Sequence, residues 1–541
     1  MATELLLGGM VYSPTIPDAT AMAVTDGTVV WVGTDEIGRA LHPDASITDL
    51  GGRFVGPAFV DSHVHLTSTG LALGGLTLND CVSRSDCLQR LADHVATLRD
   101  GDLVWGLGWD DSTWQHVDPD ERRSPTTSEI DEVVGGHPVY LARVDEHSAL
   151  ASTALRRMVV DLESTVGYSD EEPLVAEAHH QVRGAARLLL SADQRTAAQI
   201  TALDAAAAHG IVAVHENGGP DISGIDDFLA IATLDHPVEV RRYWGQLVES
   251  ADHATELMSI THAHALGGDL FIDGAIGSHT AWVSEPYHDR PDSTGISYLD
   301  SDSIRTQLRS CTHAGVQTGF HVIGDAATAA VVDALDELAT EVGTARLARL
   351  AHRLEHAEMV GSAQAETLAR TGVVASMQPL FDAEWGGAGD LYDQRLGTAR
   401  AATLNDFAML AKTGVALALS SDSPVTPMDP WAIIRAAVHH HQPRNAISTR
   451  AAFAATTRGG WRAGGVNDGL TGTLNPGAPA SYAVWDVDDM IVAGSHEGVQ
   501  RWSTDPRSRV PALPDVTPGA RLPRCVRTVH RGRVVFADGR W

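Results

Sequence analysis

The chain has 541 residues, 43% of them hydrophobic, and its 70 acidic against 39 basic side chains give a formal charge of −31. A chain of this length exceeds one ordinary core, so more than one structural unit is expected. The negative charge repels phosphate backbones and anionic bilayers, which argues against nucleic acid and membrane surfaces as partners. The four cysteines, Cys81, Cys87, Cys311 and Cys525, are scattered without a CxxC pair, the usage of a reducing compartment. The opening stretch MATELLLGGMVYSP has no basic n-region, and no apolar run reaches the ~18–20 residues of a membrane span. The expectation is a soluble, cytoplasmic protein.

Residues 1–56 read as short strands separated by turns, with Asp26-Gly27 as a hairpin signal. The C-terminal part, 466–541, has the same character in SYAVWDV and VRTVHRGRVVFADGR, apart from a Pro/Arg/Asp-rich loop at about 504–523. Two strand-rich ends around a long middle predict a small β-sandwich built from both termini. In the middle, 57–465, short apolar runs alternate with Ala/Leu-rich helical stretches, the pattern of repeated βα units. Strands are expected at 59–65, 211–215, 238–244, 270–273, 318–323, 350–356, 372–378 and 415–421. Eight is the number that closes an α/β, (β/α)8 TIM-type barrel. A large insert, 67–205, separates the first strand from the second, and insertions at that end of a barrel shape the substrate site.

The stretch FVDSHVHLTS carries His63 and His65 two residues apart. On a strand both imidazoles point to one face, and neutral imidazole suits zinc. Alone the pair is more often ordinary polar packing than a metal site. Three further residues change that: His321 in GFHVIGDAA, His356 in RLEHAE and Asp422 in LALSSDSPV each end an apolar run. Barrel chemistry sits at those strand ends, so the five residues are expected to converge on a divalent metal.

With DLGGRFVGPAFVDSHVHL, GLGWDDSTW, VDEHSALASTAL, LFIDGAIGSHTA, HVIGDAA, RLEHAE, SSDSPVTPMDP and GTLNPGAPASYAVWD, the chain resembles the amidohydrolase superfamily, family 3 branch, which includes N-substituted formamide deformylase. The resemblance spans nearly the whole chain. It implies a metal-dependent hydrolase of carbon–nitrogen bonds other than peptide bonds, acting on a small amide, N-acyl, N-formyl or cyclic amide substrate. It also implies His63, His65, His321 and Asp422 as ligands of a divalent ion, Zn2+ by donor type, with Asp422 as the proton acceptor. His356 then polarises the carbonyl or adds a ligand.

Many members of that branch carry a lysine just before the fourth-strand FxDG, and its carbamate bridges two ions. Here Asp269 stands at that place, and the single lysine, Lys412, precedes the eighth strand. A carbamylated lysine bridge is therefore excluded. Asp269 is a further candidate ligand, although its short side chain argues against its reaching the same point, and one ion is the expectation. Candidate substrate contacts are Asp273 and His279 after the fourth strand, and Asp145, His147 and Trp109 in the insert. Each has a plain structural alternative: a loop fixed by its own turn, a solvated pair, a core tryptophan. Arg353 is expected in a structural salt bridge, Glu216 outside the ligand set, and His439-His440-His441 on an exposed helix.

A deaminase of this superfamily would carry a glutamate three residues after His321, where this chain has Gly324. A non-catalytic, metal-binding homologue is the alternative from another class. GxSxG, HExxH and GxxxxGK[ST] patterns are absent. The expected partner is a small-molecule substrate, and a homodimer stays open.

Overall fold

The computed structural model describes residues 3–114, 117–492 and 511–539; the first part of the 504–523 loop, through 510, lies outside the described residues. At the centre are two four-stranded parallel sheets. One runs through Phe59–Val64, Ile211–Gly218, Glu239–Trp244 and Ala265–Leu266. The other runs through Gly319–Val322, Arg353–His356, Val374–Met377 and Ala416–Leu419. Parallel bridges join them on both sides, Val64 with Ser423 and Phe271 with His321. Most residues of these strands are buried, which is why they read as apolar runs and not as alternating ones.

The expected strand at 270–273 is reduced to a bridge. Its pairing segment, Ala265–Leu266, lies earlier, and Gly267 and Gly268 follow it with φ of +84° and +70°. At Gly268 a Cβ would stand 2.2 Å from Asn217 Oδ1, so this backbone turns sharply against the second strand where only glycine fits.

The chain ends meet. Tyr482–Asp486 pairs antiparallel with Phe54–Pro57 and with Arg524–His530, while Thr3–Leu7, Ala21–Thr25, Thr28–Gly33 and Ser46–Asp49 form a second sheet. An aromatic cluster joins this region to the central strands: Phe59 lies 5.4 Å from Trp431 and 5.6 Å from both Phe453 and Trp485, ring centre to ring centre. Edge-to-face contacts of this kind add to the burial energy. The insert holds its own five-stranded sheet, with Val104–Trp109 and Val139–Arg143 side by side. Among the described residues no helix is long and apolar enough to cross a membrane.

The helix Leu66–Gly74 leaves the first strand directly after His65 and packs on Ala192–Ala208. The second helix is fixed at its start by a capping box, Ser191 with Gln194. At Gly70 a Cβ would stand 1.8 Å from Ala198 O, so the backbones touch with no room for a methyl group. Gly70→Ala is expected to destabilise the protein by about 1–3 kcal/mol, read as a lower denaturant midpoint; an unchanged midpoint would mean that these helices do not approach so closely.

Candidate metal centre and its cavity

Five strand ends deliver ligand-type side chains to one point. His63 Nε2 lies 3.2 Å from Asp422 Oδ1 and 3.5 Å from Asp269 Oδ2. His65 Nε2 lies 3.3 Å from each of the same two oxygens. On the other side Asp269 Oδ1 is 3.6 Å from His356 Nε2, and the His356 ring is 4.4 Å from that of His321. Three overlapping sets have metal-binding spacing: His63, His65 and Asp269; His63, His356 and Asp422; Asp269, His321 and His356. All six residues are buried.

The structure places Asp269 inside the cluster. The side-chain length argument made from sequence assumed the backbone a lysine would need; here Asp269 follows the Gly267-Gly268 turn and its carboxylate lies 3.3 Å from His65 Nε2. Lys412 is exposed in the helix Phe407–Thr413.

Each of three rings is aimed by a hydrogen bond from its far nitrogen. His63 Nδ1 donates to Glu355 Oε2 at 2.9 Å, His65 Nδ1 to Asn217 O at 3.0 Å, and His356 Nδ1 to Gln378 Oε1 at 2.9 Å. When the ring is neutral, those acceptors keep its proton on Nδ1 and leave Nε2 as the lone pair. Glu355 is gripped in turn by both forks of Arg353, at 2.8 Å each, and Arg353 reaches His215 Nδ1 at 2.8 Å. Glu355, Gln378 and Asn217 were not singled out from sequence; their only signal was proximity to a ligand or its neighbouring strand.

Burial opposes charge on His63, but Asp422 and Asp269 outweigh it and lift the ring to about 10. Burial, then repulsion from His356, pulls His321 down to about 3, so it is neutral and can ligate. Five atoms converging here have no hydrogen-bond partner among the described residues: His63 Nε2, Asp269 Oδ1, Asp422 Oδ1 and both His321 nitrogens. Buried polar atoms are rarely left so, and imidazole with carboxylate is the donor set of zinc and related ions. The residues present fit a metal.

Two of them hold unusual backbone. His356 has φ of +69° and Asp422 +56°, conformations that non-glycine residues adopt at a cost of about 1–3 kcal/mol each. Paired backbone restrains Asp422: its N–H donates to His63 O at 2.9 Å, and His65 N–H donates to Ser423 O at 2.9 Å.

A cavity of about 20 Å³ adjoins the cluster, with Asp145, His147, His321, His356 and Asp422 in its wall. Phe381, Trp385, Leu391 and Tyr392 make the wall largely apolar, and Phe381 stacks on His356 at 5.9 Å. The His147 ring is 4.8 Å from that of His321, and burial, then His321, drops its pKa to about 3. Asp145 is held by Arg143 at 2.8 Å and by Ser278 Oγ at 2.9 Å.

Other candidates lie elsewhere. Trp109 is in the core of the insert, its indole N–H donating to Leu141 O at 3.0 Å. Asp273 accepts the backbone N–H groups of Trp282, Ile323 and Gly324, a fully buried clamp on two loops. His279 pairs with Asp289 at 3.0 Å. Glu216 accepts the Leu66 N–H at 2.7 Å and belongs to none of the three ligand sets. The histidine run corrects its expectation: the helix ends at Val438, and His440 is buried 3.3 Å from Asp382.

The sequence profile of the Amidohydrolase family matches residues 46–536. The protein LONG AFTER FAR-RED 3 of Arabidopsis thaliana is 28% identical over 540 residues, 92% of this chain and 90% of its own. N-substituted formamide deformylase of Arthrobacter pascens is 23% identical, over 78% of this chain and 80% of its own. Among solved structures, an uncharacterized metal-dependent hydrolase from Pyrococcus furiosus superposes with a TM-score of 0.67 at 24% identity, covering 90% of this chain and 99% of that one.

If His356 is a ligand, then Gln378→Leu, which frees its ring, is expected to weaken metal affinity about 10–100-fold. Competition with a chromophoric chelator measures this, and an unaltered affinity would remove His356 from the ligand set.

Proposed function

Since the chain belongs to the amidohydrolase family, we propose that it hydrolyses a carbon–nitrogen bond other than a peptide bond in a small N-formyl or short N-acyl amine. The observation that carries this reading is the convergence of buried, unpartnered nitrogen and oxygen atoms at the strand ends. The bridges Val64–Ser423 and Phe271–His321 support a closed eight-stranded cylinder around them.

In this reading Asp269 stands where the carbamate would, and together with His63, His65, His321, His356 and Asp422 it would hold two divalent ions, zinc by donor type. This departs from the one-ion expectation because Asp269 faces both groups of imidazoles. Such ions supply Lewis acidity and a water ionised near neutral pH. Asp422 accepts the proton of that water at its carboxylate and delivers it to the leaving nitrogen. Glu355 and Gln378 keep His63 and His356 in the required tautomer. His147, neutral and in the cavity wall, orients the substrate carbonyl. The small cavity suits a short acyl group, and its aromatic wall suits an apolar substituent; the formamide relative points to the same substrate class.

Metal analysis with a panel of N-formyl, N-acyl and cyclic amides tests the reading. About two ions per chain are expected, at most one in Asp269→Asn, and a kcat about 10²–10⁴-fold lower in Asp422→Asn. Metal-loaded protein that turns over none of the panel would sink the hydrolase reading, and one ion in the unaltered chain would sink the bridge.

A further inference from the structure

A second cavity of about 20 Å³ has His65 in its wall and shares no lining residue with the one described above. It is lined by Arg187 and Arg195 from the insert, by Thr67 and Ser68 after the first strand, and by Ser223 after the second. We propose that this cavity is a carboxylate-binding subsite beside the metal centre.

The unpartnered atoms here point to an acceptor. Arg187 Nη1 and Ser223 Oγ, both from residues that line it, are buried without a hydrogen-bond partner among the described residues. Burying a charged donor without an acceptor is unfavourable. Arg187 Nη2 donates to Pro220 O at 3.0 Å, on the loop that the side chain covers. The guanidinium is therefore held in place while one edge stays open. Burial, then repulsion from Arg183, lowers Arg187 to about 10, which leaves it a cation at neutral pH.

Two carboxylates share the wall, and both are engaged. Asp227 accepts from Thr67 Oγ1 at 2.7 Å and Gln199 Nε2 at 3.0 Å and lies 3.6 Å from Arg195. Glu216 accepts the Leu66 N–H at 2.7 Å. The space admits about one water-sized group, so a carboxylate would seat one oxygen there, against the open guanidinium edge and the Ser223 hydroxyl. In a chain of net charge −31, such a cluster of arginines is a local exception.

The carboxylate has two possible sources: the substrate's own, which would place its amide at the metal ions and so rests on the hydrolase reading, or a free short-chain acid. Titration of the full-length protein with sodium acetate and sodium formate at constant ionic strength tests the subsite itself, with and without chelator treatment, and needs no turnover. Saturable one-to-one binding is expected, at least tenfold weaker in Arg187→Met, largely restored in Arg187→Lys, and weakened in Ser223→Ala, which breaks no existing hydrogen bond. The second arm compares an N-formyl amino acid with the matched neutral N-formyl amine: a tenfold rise in KM in Arg187→Met confined to the acid identifies the substrate as the source. Acetate binding that depends on Arg187 without that KM effect identifies a free acid. No saturable binding, or binding indifferent to Arg187→Met, together with an unchanged KM, overturns the subsite and leaves a water-filled cavity, whatever the metal analysis shows.

Discussion

The molecule is organised around a concentration of lone pairs that its own atoms leave unsatisfied. Four imidazoles and two carboxylates are withdrawn from solvent and aimed at each other. Two carboxylates so placed repel, and taking each from water costs several kcal/mol unless a cation compensates. Protonated imidazoles can offset part of this, as the raised His63 and His65 show. A divalent cation offsets it with denser charge and uses the directional lone pairs as well.

Beneath that cluster the buried charges are paired. Glu355 meets His63 on one side and Arg353 on the other, and Arg353 also donates to Ser62 O at 2.7 Å and lies over the Tyr243 ring at 4.4 Å. A buried ion pair of this kind is weak grounds for stability, because desolvation consumes much of the attraction. Its evident use is directional: a bidentate fork holds a carboxylate in one plane, and that carboxylate holds one imidazole. Layers of this sort let the residues above tolerate the positive φ angles at His356 and Asp422.

The clustered histidines and Asp422 were legible in the sequence because they lie at the ends of apolar runs, and strand periodicity with fold-level convergence places such residues together. Asp269 was legible as a candidate but not as a neighbour of His65, since its position depends on a two-glycine turn that shortens the fourth strand. Residues of the insert divided badly. Trp109 and His147 sit in equally suggestive motifs, yet one fills a core and the other borders the cavity, a difference set by sheet packing in the insert with no local signature. Glu355 and Gln378 were hidden for another reason: orienting a ring is a relation between two strands, and a single chain written linearly does not show which strands are neighbours. The histidine triplet failed because its helix stops one residue before it.

The seam between the first and last central strands has a consequence for biosynthesis. Val64 pairs with Ser423, and the backbones of His63 and Asp422 are hydrogen-bonded to each other, so groups separated by most of the polypeptide share one centre. A chain emerging from the ribosome carries its HVH pair early and must shelter those imidazoles until the eighth strand arrives. A product cut short of residue 422 lacks both the Asp422 carboxylate and the backbone bonds that close this seam.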